Sequence, residues 1–133
     1  PAMAGLLAHS GDFLPGDDCE PSDLIPEIPA GAICYIDNFG NIKTTYRDHD
    51  EIIKHVKNHG AGARIRIEIN GQVRAATLAT GNVDLLEGDL VFAPQPGASL
   101  NRFWEISCRR SDASALFNTP PPGSGIRLMI HQK

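Results

Sequence analysis

At residues 64–78 the chain reads Arg-Ile-Arg-Ile-Glu-Ile-Asn-Gly-Gln-Val-Arg-Ala-Ala-Thr-Leu. Its first six positions alternate charged and isoleucine side chains, a pattern typical of a strand with one buried face. Asn70 and Gly71 form a dipeptide strongly favoured in two-residue hairpin turns, and a second β-prone run, Val73–Leu78, follows it. This stretch therefore predicts a β-hairpin.

The sequence on both sides of this hairpin continues the strand pattern. Upstream, Ala32–Ile36 and Ile42–Tyr46 are β-prone runs separated by turn residues, which predicts a second hairpin. Three more strands are expected downstream, at Leu90–Ala93, Phe103–Cys108 and Ile126–His131. So many short strands in a chain of this size indicate a compact β-barrel or sandwich.

Two short helices are expected among these strands. Apolar residues recur at helical spacing within Asp48–Asn58, and Gly60 can adopt the left-handed conformation that ends a helix. A second helix is predicted at Ser111–Phe117, with Ser111 as its N-cap.

The first 30 residues differ in composition from the rest. Pro1–His9 is rich in small residues and predicts a short helical piece, and four prolines follow within fifteen residues, at positions 15, 21, 26 and 29. Proline fixes φ and lacks a backbone N–H, so this segment is expected to be an extended linker. We therefore divide the chain into residues 1–30, a helix end and linker, and residues 31–133, a β domain.

Composition excludes several classes of function. Lys and Arg number 12 against 16 Asp and Glu, and the resulting net charge of −4 argues against a nucleic-acid partner. Three widely spaced cysteines, Cys19, Cys34 and Cys108, fit neither a disulfide framework nor a zinc cluster. No apolar run is long enough to span a membrane, and no signal peptide is evident. We expect a cytoplasmic protein that does not bind membranes.

The segment Tyr35–Ile42 is the densest group of candidate functional residues. It places a carboxylate, Asp37, an aromatic ring, Phe39, and an amide, Asn41, within five positions around a turn. Together these groups suit an amino group and a purine. The alternative interpretation is purely conformational, because Asp, Asn and Gly are also the residues that turns favour.

Other polar residues give weaker signals. His55 and His59 stand four apart and would share a helix face with His49 nearby, but no fourth ligand is specified, so no metal site is predicted. Cys108 precedes two arginines that could lower its pKa, yet no orienting base is indicated, and a buried strand cysteine is the better interpretation. The sequence contains no candidate catalytic set.

Two segments resemble a known family. Ile36–Thr44 resembles the I-D-x-F-G-N-x-x-T signature that opens the C-terminal domain of the S-adenosylmethionine (SAM) hydroxide adenosyltransferases, relatives of SAM-dependent fluorinases and chlorinases. Trp104–Leu128 is similar to that domain's closing pattern, an L-E-I-A strand, an alanine-rich helix and a P-G-D-x-V-x-L strand. Residues 1–24 resemble the end of the family's N-domain and its linker. The resemblance implies a mainly β, compact barrel of short antiparallel strands.

The resemblance also implies a function. Members of this family cleave SAM with water to adenosine and L-methionine, and SAM is the substrate rather than a cofactor. The catalytic residues belong to an N-domain, which here is expected upstream of Pro1. The ligand lies where the N-domain of one subunit meets the C-domain of a neighbour in a homotrimer. This chain would then bind adenosine and methionine but be nearly inactive alone, with no catalytic residue of its own.

Substrate-binding roles follow residue by residue from the same resemblance. Asp37 would receive the methionine amino group, Phe39 would lie beside the adenine, and Asn41 would hydrogen-bond the adenine edge. Glu105 and Cys108 would line the adenosine end, the latter through its backbone.

The methionine-carboxylate site departs from the family pattern. A serine is usual five residues before the strand glutamate, where Leu100 stands here. A shift of one residue would restore a polar side chain, so Ser99 and Asn101 are the candidates for this subsite. Thr45 also replaces a common asparagine. The alternative to the SAM-cleaving enzyme is a stand-alone β-barrel module that binds another nucleoside or a protein and has no catalytic activity.

Overall fold

The structure, a computed structural model, describes residues 30–97 and 100–130. Its seven strands, in chain order, are β1 (Ile33–Ile36), β2 (Ile42–Arg47), β3 (Arg64–Ile69), β4 (Gln72–Leu78), β5 (Leu90–Pro94), β6 (Phe103–Cys108) and β7 (Ile126–Ile130). One α-helix, α1 (Glu51–Lys57), follows β2, and a 3-10 helix (Ser114–Phe117) follows β6.

All seven strands belong to one curled sheet in the order β1-β2-β6-β5-β4-β3-β7. The two edge strands approach each other at one end, where Ile33 N donates to Ser124 O at 2.9 Å and Ile126 N donates to Gly31 O at 2.7 Å. The mainly β, barrel-like fold predicted from the sequence is confirmed. Five of the strand pairs are antiparallel, whereas β4 and β5 run parallel, and the crossover between them is the segment 79–89.

The concave side of the sheet holds the core. In β3 the three isoleucines are buried and the arginines between them are exposed, as the alternation predicts. The largest buried side chain, Trp104, lies 4.9 Å from Phe92 between ring centroids, and Phe92 in turn meets Tyr46 edge to face. Burial of these apolar surfaces is the main favourable term in folding.

The two predicted helices both occur, but their starts differ from expectation. α1 begins at Glu51 and is followed by Gly60 at φ +86°, the left-handed residue predicted to stop it. The prediction of Ser111 as an N-cap is wrong. Ser111 N donates to Cys108 O in the turn after β6, so the 3-10 helix starts later, and Asp112 Oδ1 accepts from Ala115 N at 3.2 Å instead.

Predictions for the first 29 residues lie outside the described residues, as does the predicted end of β7 at His131. Among the helices in the described part of the chain, none has the length and apolar character needed to cross a membrane.

Candidate functional site

The turn between β1 and β2, residues 37–41, forms the centre of the candidate site. Asp37 N donates to Asn41 O at 3.0 Å, and Gly40 N donates to Asp37 O at 3.1 Å. Gly40 has φ +82°, a conformation that glycine adopts without a steric penalty. The hairpin thus closes through a tight backbone loop in which every side chain is held near the next.

The Asp37 carboxylate fixes this turn from within. Its Oδ1 accepts from Phe39 N at 2.9 Å and from Asn41 N at 3.0 Å, and its Oδ2 accepts from Asn41 Nδ2 at 3.1 Å. Burial raises the pKa of Asp37, but the hydrogen bonds from Asn41 and Phe39 outweigh it, and the pKa lies below its ordinary value. The carboxylate is therefore ionised at neutral pH, and it serves the conformational role that the alternative interpretation assigned to it.

Phe39 projects from the same turn into solvent. Its side chain is 79% exposed, although exposing an aromatic ring of this size forgoes the favourable burial that most phenylalanines obtain. Asp37 and Asn41 lie partly buried in the turn that carries it. The arrangement offers a flat apolar face with a charged acceptor and an amide in the same five-residue loop.

A lysine that the sequence analysis did not single out lies against this turn. Lys43 on β2 stands opposite Glu105 on β6, and its ammonium group donates a hydrogen bond to Glu105 Oε2. The same nitrogen lies 3.8 Å from Asp37 Oδ2. Strand alternation in β2 predicts that Lys43 faces outward, but its partner follows only from the register between strands 62 residues apart. The structure thus brings Glu105 to Asp37 as predicted, and Lys43 between them.

The 3-10 helix packs against the other side of the turn. Ser114 N donates to Gly40 O at 3.0 Å, and a Cβ atom added at Gly40 would overlap the Asp112 carboxylate. Asp112 Oδ1 also accepts from Ser114 Oγ at 2.6 Å, and this bond, only partly opposed by desolvation, lowers the pKa of Asp112. Asp112 is a second carboxylate beside the site, and the sequence signature contained no sign of it.

The remaining predicted residues do not join this group. Asn101 lies beyond the far end of β6, where its Oδ1 accepts from His49 N at 3.1 Å, roughly 13 Å along the strand from Glu105. A groove of about 260 Å³ opens there, lined by Gln95, Pro96, Asn101, Arg102 and Phe103. Ser99 lies outside the described residues.

Cys108 faces the core and is buried, as the structural interpretation of this residue predicts. Its thiol donates to Gly88 O at 3.3 Å, and its backbone carbonyl accepts from Ser111 N. In the described portion of the chain, no three His, Cys, Asp or Glu side chains form a group that could hold a metal ion.

No protein-family model and no curated protein matches this chain. Solved structures do match, among them an uncharacterized conserved protein from Thermotoga maritima, with 21% identity over 94% of this chain and a TM-score of 0.67. A conserved hypothetical protein from Thermus thermophilus has 21% identity over 95% of this chain and a TM-score of 0.49. The chain spans about half the length of these two proteins, 49% and 50%. At this identity, the Thermotoga maritima likeness establishes a shared fold.

Proposed function

We propose that this chain is the adenosine- and methionine-binding half of an enzyme that cleaves S-adenosylmethionine with water to adenosine and L-methionine. The observation that carries the proposal is the 37–41 turn, which combines an exposed aromatic face, an amide and an ionised carboxylate in one loop. Phe39 stacks on the adenine, Asn41 binds its edge, and Asp37 receives the amino group of the methionine part.

The chemistry of each group supports its assignment. A purine base stacks on an aromatic ring with a contribution of about 1–3 kcal/mol, and Phe39 is free to accept it because the ring is exposed. A carboxylate that stays ionised at neutral pH pairs with a ligand ammonium group through a charge-assisted hydrogen bond. Asp37 meets this condition because the hydrogen bonds within its turn lower its pKa.

The chemical step belongs, in this proposal, to an N-terminal domain of a neighbouring subunit in a homotrimer. The similar Thermotoga maritima protein is about twice as long as this chain, which leaves room for such a domain in a protein of this fold. The present chain would orient one end of SAM, and orientation is a large part of what a displacement by water requires. Its own turnover of SAM is therefore expected to be negligible, and a cytoplasmic location with its supply of SAM fits the proposal.

The test is adenosine binding by the wild-type chain and Phe39→Ala, followed by NMR titration. We expect adenosine to shift resonances of residues 37–41, and Phe39→Ala to weaken binding about tenfold, because one stacking surface is lost. Leu86→Ala is the matched control: Leu86 is 74% exposed, close to the 79% of Phe39, but does not belong to the turn. Neither substitution is expected to alter stability by more than about 0.5 kcal/mol.

Two results would contradict the proposal. If adenosine does not bind, or binds Phe39→Ala as tightly as the wild type, the turn is not a nucleoside site and a module with another partner becomes the better interpretation. If the chain alone hydrolyses SAM at the rate of a complete enzyme, catalysis does not reside in an N-domain.

A further inference from the structure

Lys43 has three polar neighbours on the outer face of the sheet. The strand register places it opposite Glu105 on β6 and opposite Tyr35 on β1, and Asp37 lies at the end of the same hairpin. The side chains of Lys43, Asp37 and Glu105 are only 17%, 23% and 16% exposed. Charges screened this weakly by water interact more strongly than an ordinary surface pair.

The two carboxylates share the lysine unequally. Its ammonium group is hydrogen-bonded to Glu105 Oε2 but lies 3.8 Å from Asp37 Oδ2, beyond hydrogen-bond distance. In the described structure, Asp37 Oδ2 accepts its hydrogen bond from Asn41 Nδ2. A carboxylate oxygen has two lone pairs, so Asp37 Oδ2 retains capacity for another donor.

From this geometry we infer that Glu105 holds the Lys43 ammonium group away from Asp37 and thereby keeps the Asp37 carboxylate open to the ammonium group of a ligand. The inference rests on the proposed function and extends it. Glu105 is then a positioning residue acting through Lys43, and Lys43 is a resident cation that competes with the ligand. The pair sets how strongly the site prefers an amine-bearing nucleoside, such as SAM, over uncharged adenosine.

The competition follows from the reach of a lysine side chain. Its four-carbon stem is flexible and its ammonium group is a compact charge, so it moves to the strongest acceptor within range. Without the negative charge of Glu105, that acceptor is Asp37. Other ionisable groups near Asp37 and Lys43, namely Asp112 and Tyr35, remain unchanged in the variants below.

The experiment compares SAM and adenosine binding to the wild-type chain, Glu105→Gln and Lys43→Met by NMR titration. Glu105→Gln is expected to weaken SAM binding about fivefold and to leave adenosine binding unchanged, because Lys43 then occupies Asp37. Lys43→Met keeps most of the stem and removes the competitor, so SAM binding strengthens by a similar factor. In the double variant Glu105→Gln does not weaken SAM binding, since no lysine remains to move.

A ligand-free measurement tests the same movement. The Asp37 carboxyl ¹³C resonance, titrated with pH, should give a lower pKa in Glu105→Gln than in the wild type, because a cation has come closer. In Lys43→Met the pKa should rise. Far-UV circular dichroism and a thermal melt of each variant establish that the comparison is made between folded chains.

The outcomes separate this inference from the proposed function. If Glu105→Gln weakens SAM and adenosine equally, or leaves the Asp37 titration unchanged, Lys43 is not being held off and the inference is overturned. If neither ligand binds the wild-type chain, the proposed function fails and the ligand preference fails with it, even where the carboxyl titration shifts as expected.

Discussion

The two ends of the β2–β6 pair each carry an aspartate, and the two carboxylates are used differently. Asp48, just after β2, accepts from Trp104 Nε1 at 2.8 Å, from Arg102 N at 2.8 Å and from Arg102 Nε at 3.2 Å. Burial raises the pKa of Asp48, but these bonds outweigh it and the pKa is lowered. All these donors lie more than 50 residues away, so the carboxylate joins β6 to the loop that leads into α1.

Asp37, just before β2, also has a lowered pKa, but its hydrogen-bond donors come from its own turn. Its long-range neighbour, Lys43, is hydrogen-bonded to Glu105 instead. Two aspartates with the same direction of pKa shift thus differ in the range of their contacts. A carboxylate satisfied by distant donors is part of the fold, whereas one satisfied locally is left available to a ligand.

The largest expected effect concerns the packing of the Asp37 end. Gly40→Ala places a Cβ atom against the Asp112 carboxylate and 3.0 Å from Asp112 Cα, on a backbone with φ +82°. Left-handed strain costs about 1–2 kcal/mol and overpacking about 1–3 kcal/mol, so we expect a loss of about 2–4 kcal/mol in unfolding free energy. Urea denaturation followed by fluorescence of the single tryptophan, Trp104, measures it.

Gly60→Ala is the control for the backbone strain alone. Gly60 has φ +86°, but no atom lies within 4 Å of an added Cβ. Its cost should be about 1 kcal/mol. Equal losses at Gly40 and Gly60 would show that the 3-10 helix does not pack tightly on the turn.

The next effect tests the Asp48 end. Asp48→Asn retains one acceptor oxygen for three donors, so its amide N–H faces either Trp104 or Arg102. An unsatisfied buried donor and a lost charged acceptor are expected to cost about 2 kcal/mol at pH near 7.

The pH dependence gives the same comparison a sign. Because the pKa of Asp48 is lower in the folded state than its ordinary 3.8, its contribution to stability is complete above that value. It is lost as the pH falls through the lower, folded value. Stability of Asp48→Asn should therefore decline less steeply than that of the wild type below about pH 4, as measured by urea denaturation across that range. Parallel curves would contradict the role of the Asp48 charge.

Much of this arrangement could be predicted from local sequence. The alternation in residues 64–69 and the Asn70-Gly71 dipeptide specify the β3–β4 hairpin, because side-chain period and turn conformation are local properties. The crowding of Asp37, Phe39 and Asn41 in one turn was equally visible, since these residues are neighbours in the chain.

What depends on register was not predictable in the same way. The parallel β4–β5 pair and the Lys43–Glu105 contact arise from how distant strands align, which no short pattern encodes. Asn101 was placed with the methionine end of the site, yet the strand direction carries it to the opposite end of β6. The Ser111 cap was wrong because a serine before a helix is a local signal, and the hydrogen bond to Cys108 O overrides it.

The smallest expected effect on stability, and the sharpest contrast, comes from Asp37→Asn. The carbonyl oxygen of an asparagine can still accept from Phe39 N and Asn41 N, and the Asn41 amide can rotate to present its oxygen to the new N–H. We expect a loss of less than about 1 kcal/mol by urea denaturation, under half that of Asp48→Asn. Binding should respond differently, because SAM loses its ammonium partner while adenosine does not. A stability loss as large as that of Asp48→Asn would mean that the Asp37 charge is needed for folding. In that case the two ends of the strand pair would be equivalent, and the argument that local hydrogen bonding leaves a carboxylate available for a ligand would not hold.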